Sequence, residues 1–62
     1  MDKRQAKQAL AEGKKITHTY MLEEEYVYEL NGKIYDENGC HLPDFWFFRE
    51  TPVWDKGYSI VA

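Results

Sequence analysis

The order of apolar and polar positions along this 62-residue chain divides it at Gly13. Before Gly13, Ala6, Ala9 and Leu10 recur at helical spacing among Ala, Lys, Gln and Arg, all good helix formers. Asp2 stands where a helix N-cap belongs, and Gly13 where a left-handed C-terminal cap belongs. The pattern predicts a helix over about 3–12, with a narrow stripe of small residues that must dock on something larger. After Gly13 the period changes to two. Residues 15–21, Lys-Ile-Thr-His-Thr-Tyr-Met, are β-branched and aromatic without a breaker and predict a first strand. Residues 25–30 alternate again, with Tyr26, Tyr28 and Leu30 on one face and Val27 between two glutamates on the other.

Asn31-Gly32 follows at once and is the strongest local signal, because both residues tolerate the positive φ of a two-residue type I′ hairpin. That turn sets Leu30 opposite Lys33, Glu29 opposite Ile34 and Tyr28 opposite Tyr35. Asn38-Gly39 marks a second turn. The run Asp44-Phe45-Trp46-Phe47-Phe48-Arg49 is bounded by Pro43 and Thr51-Pro52 and is read as a short strand; its unbroken apolar character also suits a helical turn. Residues 53–57 read as a turn and Tyr58–Val61 as a final strand. The expected fold is a single α+β domain over 1–62: an N-terminal helix on an antiparallel sheet of four to five strands.

Length limits what such a domain can do. A chain of 7.4 kDa buries only about 60% of its extended surface, which allows one thin core and no large solvent-free catalytic cavity. Mean hydropathy is −0.71, yet ten of the 62 residues are Phe, Trp or Tyr, too many rings for a disordered chain. So small a core cannot enclose all ten, so some are expected in a subunit contact or a binding surface, and a homo-oligomer is expected. The single cysteine, Cys40, excludes an internal disulfide, and with His18 and His41 it lacks zinc-ligand spacing. No signal peptide or membrane-spanning run is read, so an intracellular, cytoplasmic location is expected.

The net charge of −3 is unevenly spread. Residues 1–15 carry Lys3, Arg4, Lys7, Lys14 and Lys15 against Asp2 and Glu12, whereas residues 16–62 carry three basic and nine acidic groups. A basic helix lying on a more acidic sheet explains this, and so does an acidic face that imitates nucleic acid to block a basic protein. Direct nucleic-acid binding is not expected, because no basic stripe occurs outside the helix. Catalysis is not expected either. Cys40 and His41 are neighbours on extended backbone and point apart, and the runs Glu23-Glu24-Glu25 and Asp36-Glu37 read as solvated charge. No phosphate loop, metal motif or cofactor signature is present.

Two further positions invite a binding role. His18 shares a face with Ile16 and Tyr20, as a half-buried hydrogen-bonded ring or as a ligand contact. Arg49 ends the aromatic run, either paired at the rim with a carboxylate or holding a phosphate through its planar fork.

The segment Ala9-Leu10-Ala11-Glu12-Gly13-Lys14-Lys15-Ile16-Thr17 resembles the opening of many small phage and prophage proteins, of type A-L-x-x-G-K-K-[IV] before a strand. The close, Trp54-Asp55-Lys56-Gly57-Tyr58-Ser59-Ile60-Val61, is similar to their W-x-x-G-[WY]-x-[IV]-[IV] ending, and Tyr35-Asp36-Glu37-Asn38-Gly39 before Phe45-Trp46 also fits. A related set with the same opening includes the phage anti-Thoeris sponges, compact oligomers that sequester a cyclic ADP-ribose signal of the infected host. The resemblance implies a phage-encoded anti-defence protein that captures a small anionic nucleotide-like ligand, with Lys15, His18, Tyr20, Trp46 and Arg49 as candidates for phosphate pairing and base stacking. The second expectation, from the charge and the aromatics, is an inhibitor that occludes a host nuclease or defence effector with an acidic, aromatic face. A sponge should line a polar concavity with its rings; a protein inhibitor should expose an acidic or aromatic patch on a filled domain.

Overall fold

A computed structural model describes residues 1–61. Helix α1 spans Lys3–Ala11 and begins in a capping box: the Gln5 amide donates to Asp2 Oδ1 at 2.8 Å, and the Asp2 amide donates to Gln5 Oε1 at 3.0 Å. Strands β1 (Lys15–His18), β2 (Val27–Leu30), β3 (Lys33–Asp36) and β4 (Tyr58–Val61) form one sheet in the order β3-β2-β1-β4, every neighbour antiparallel. This is the α+β architecture expected from the change of period at Gly13. The hairpin register is the one set by Asn31-Gly32: Tyr28 faces Tyr35, Glu29 faces Ile34 and Leu30 faces Lys33. Both turn residues take positive φ, 52° at Asn31 and 77° at Gly32.

The sheet has two unlike faces. Ile16, His18, Val27, Ile34 and Tyr58 point inward with Ala6, Ala9, Leu10 and Phe45, and all nine are buried. Of β2 it is Val27, between its glutamates, that enters the core, while Tyr28 and Leu30 point away from it. Lys15, Thr17, Tyr28, Leu30, Lys33, Tyr35, Ser59 and Val61 make up the other face, and none of them is buried. The first strand is shorter than the pattern predicts, because the chain turns back after His18, with the Met21 amide on the His18 carbonyl at 2.9 Å.

Residues 44–49 are not a strand. They form a turn that runs into a 3-10 helix at Phe47–Arg49, with the Phe48 amide on the Asp44 carbonyl at 3.2 Å and the Arg49 amide on the Trp46 carbonyl at 3.0 Å. Two causes are visible. Four consecutive aromatics cannot be sorted between core and solvent at a period of two. The outer edge of β3 is also already taken, by the Leu42 amide on the Ile34 carbonyl at 2.8 Å and the Cys40 carbonyl under the Asp36 amide at 2.9 Å. A second 3-10 helix, Pro52–Trp54, leads back into β4.

Candidate functional site

The five positions singled out in the sequence separate in space. His18 sits at the end of β1 and is 4% exposed. Its ring lies 4.3 Å from that of Trp54, 4.6 Å from that of Tyr58 and 5.6 Å from that of Tyr20. Nδ1 accepts the Tyr20 amide at 3.0 Å, which leaves the proton on Nε2, and Nε2 donates to the Lys56 carbonyl at 2.6 Å. Both ring nitrogens therefore hold loops together. Tyr20 is 68% exposed and meets Trp54 edge-on at 6.0 Å.

Arg49 closes the same cluster from the other side. Its guanidinium carbon lies 3.9 Å from the Phe45 ring centroid and 4.9 Å from that of Trp54, and Nη1 donates to the Phe45 carbonyl at 2.9 Å. Burial draws Arg49 below the ordinary guanidinium value, against the opposing pull of Tyr58 and Glu25. Its Nε is buried without a partner. Lys3 Nζ donates to the Arg49 carbonyl at 2.6 Å. Arg49 is thus the clasp of the 44–49 turn.

Trp46 meets Phe45 edge-on at 4.9 Å and lies 5.9 Å from Tyr58, with Lys7 Nζ 5.0 Å over its ring. Lys15 belongs elsewhere. It starts β1 on the face opposite His18, with Nζ 5.0 Å over the Tyr26 ring. The structure brings His18, Tyr20, Arg49 and Trp46 into one aromatic network through Trp54 and Tyr58, and leaves Lys15 out of it.

Two features went unmarked in the sequence. Phe47 and Phe48, at the tip of the clasped turn, are 67% and 71% exposed, with rings edge-to-face at 5.3 Å. Shallow clefts of about 330 and 160 Å³ open beside them, the first next to Trp46 and Phe47, the second next to Pro43 and Phe48. Asp44 and Glu50, at the two ends of the turn, are exposed. On the opposite face of the sheet Tyr26, Tyr28, Tyr35 and His41 form a chain of neighbouring rings. The Asn31-Gly32 register already paired Tyr28 with Tyr35 and could have found that second feature. The first needed the turn itself.

Among the described residues no group of three or more His, Cys, Asp or Glu is placed to hold a metal ion, and no helix is long and apolar enough to cross a membrane. Comparison with family models, curated proteins and solved structures finds no match to this chain.

Proposed function

We propose that this chain is a non-catalytic protein-binding module, of the kind a phage uses inside an infected bacterium to occlude a host nuclease or defence effector. The observation that carries the reading is the Phe47-Phe48 pair. Two adjacent phenylalanines about two-thirds exposed are costly to leave in water, and paired exposed rings mark contact surfaces. They are also held in place beforehand. Phe45 is buried behind them, Arg49 clasps the turn through Phe45 and Trp54, and Lys3 ties its last carbonyl. A rigid aromatic anchor loses little entropy on docking, which is how a few side chains come to dominate an interface. The exposed carboxylates of Asp44 and Glu50 at the rim favour a partner groove bordered by lysine or arginine.

Capture of a nucleotide-like signal around Arg49 has less support. Both His18 ring nitrogens bond within the fold, Arg49 Nη1 donates to the Phe45 carbonyl, and the two clefts that Arg49 borders hold only about 160 Å³ each, small for a nucleotide-sized ligand.

The test compares wild type with Phe47→Ser/Phe48→Ser as purified baits for crosslinking in bacterial host lysate, followed by reconstitution with the captured protein. The expected result is a partner that binds the wild type at micromolar concentration or tighter and loses at least tenfold with the variant, whose circular dichroism and melting stay close to wild type. Equal binding by both proteins refutes the reading. So does a concentration-dependent homodimer that the double substitution dissolves, since a second copy would then be the natural cover.

A further inference from the structure

The outward face of the sheet has a composition unlike the rest of the chain. The molecule is acidic overall, yet the strand carboxylates Glu29 and Asp36 fall on the inward side by register, opposite Ile34 and Val27. The outward strand positions are Lys15, Thr17, Tyr28, Leu30, Lys33, Tyr35, Ser59 and Val61: two cations and no anion. Across this face runs a continuous row of rings. Lys15 Nζ stands 5.0 Å over Tyr26, Tyr26 is 6.5 Å from Tyr28, and Tyr28 is 5.7 Å from Tyr35 with planes only 22° apart. The helix and the aromatic turn both pack on the other side, which leaves Tyr26, Tyr28 and Tyr35 half-exposed, with His41 against Tyr35 at the end of the row.

From this juxtaposition we propose that the open tyrosine face is a platform for single-stranded nucleic acid, with bases on Tyr26, Tyr28 and Tyr35 and phosphates at Lys15 and Lys33. Charge complementarity selects an anionic ligand with flat rings. The open geometry selects a strand over a single nucleotide, because a flat face gathers affinity only by repeating contacts along its length. Ring spacings of 5.7 and 6.5 Å are about twice the 3.4 Å rise of a duplex strand, which suits splayed, unstacked bases. A duplex hides its base faces and gains nothing from the rings. The row is invisible as a basic stripe in the sequence because Lys15 and Lys33 are 18 positions apart and come to one face only through the sheet register. This surface lies across the sheet from Phe47 and Phe48 and stands independently of the reading drawn from them.

The experiment is fluorescence anisotropy of a labelled eight-nucleotide oligothymidylate with the full chain at low salt, repeated across a salt series. The expected Kd is about 10⁻⁴ M, at the weak end of non-specific binding, with a log–log salt slope of about −1.4 for two phosphate contacts on a single strand. Lys15→Gln and Lys33→Gln, both at exposed positions, should each reduce the slope to about −0.7. Tyr35→Leu should weaken binding roughly fivefold or more. Four results each overturn the proposal: no binding at millimolar protein; an eight-base-pair duplex binding as tightly as the single strand; thymidine monophosphate competing as well as the oligomer per nucleotide; or a homodimer in sedimentation velocity that Tyr35→Leu dissolves.

Discussion

Gly32 and Gly57 permit a controlled measurement of how much the buried histidine loop contributes to the fold. Both take positive φ, 77° and 98°, so alanine at either site carries the same backbone strain of roughly 1–2 kcal/mol. The stiffer unfolded chain of the alanine variant offsets about 0.4–1 kcal/mol of that. The sites differ in what a methyl group meets. At Gly32 there is nothing within 4 Å, so Gly32→Ala should cost about 1 kcal/mol in total. At Gly57 the new carbon collides with Thr19 Oγ1 and stands 3.1 Å from His18 Nε2. Thr19 is exposed and can rotate away, at the loss of its 3.1 Å hydrogen bond to the Gly57 carbonyl. His18 cannot move between Trp54 and Tyr58 without stretching its 2.6 Å bond to Lys56. Two weakened hydrogen bonds at about 0.5–1.5 kcal/mol each bring Gly57→Ala to about 2–4 kcal/mol. For a domain of this size 1 kcal/mol shifts Tm by about 4–8 °C, so the two variants should melt several degrees apart. Urea unfolding followed by tryptophan fluorescence is the assay, because Trp54 packs against His18, 4.3 Å between ring centres, and responds to the loop. In a Thr19→Ala background, where that bond is already absent, Gly57→Ala should cost less than in the wild type, and a double-mutant cycle isolates that coupling. Equal losses for the two glycine variants, or a cost of Gly57→Ala that is the same with and without Thr19, would refute the steric account of the loop.

Three further outcomes are expected. Leu10→Ala and Ile16→Ala, at sites 1% exposed, should each cost about 2–5 kcal/mol and leave the domain largely unfolded, whereas Ile60→Ala, at a site 49% exposed, should shift urea unfolding little. Arg49→Ala should destabilise the 44–49 turn even without any ligand, through lost stacking on Phe45 and Trp54 and a freed Phe45 carbonyl; faster hydrogen exchange confined to residues 45–49 is the readout, and unchanged exchange would contradict the clasp. Burial raises the Tyr58 phenol above its ordinary value of 10, outweighing the opposing effect of Arg49, while its hydroxyl donates to the Trp54 carbonyl at 2.6 Å. The folded state holds that proton more tightly than the unfolded one, so the contribution is full below pH 10 and disappears as pH climbs through the folded value. Tyr58→Phe should flatten alkaline unfolding above pH 10 while costing about 1–2 kcal/mol at neutral pH, both measurable by denaturant titration at a series of pH values.

The sequence by itself determined the elements whose signals are local. Asp2 caps the helix, Gly13 follows its last turn, and Asn31-Gly32 imposes a register that puts Tyr28 on Tyr35. Each depends on backbone torsions and hydrogen bonds within a few residues, so composition at those positions suffices. The run from Asp44 to Arg49 was decided only in three dimensions. Four aromatics in a row satisfy a strand and a helical turn equally, and the choice fell to an occupied β3 edge and to a core that takes Phe45 while leaving Phe47 and Phe48 outside. The fate of the candidate residues was likewise tertiary. His18 and Arg49 have the chemistry of ligand contacts, but His18 Nε2 and Arg49 Nη1 meet carbonyls contributed by Lys56 and Phe45 once the loops close. Lys15 joins the tyrosine row because strand pairing assigns it to the opposite face from His18, three residues away. Side-chain chemistry is written in the chain, but which groups have their hydrogen bonds satisfied internally and which stay available depends on long-range packing, and a single sequence does not encode that in any local pattern.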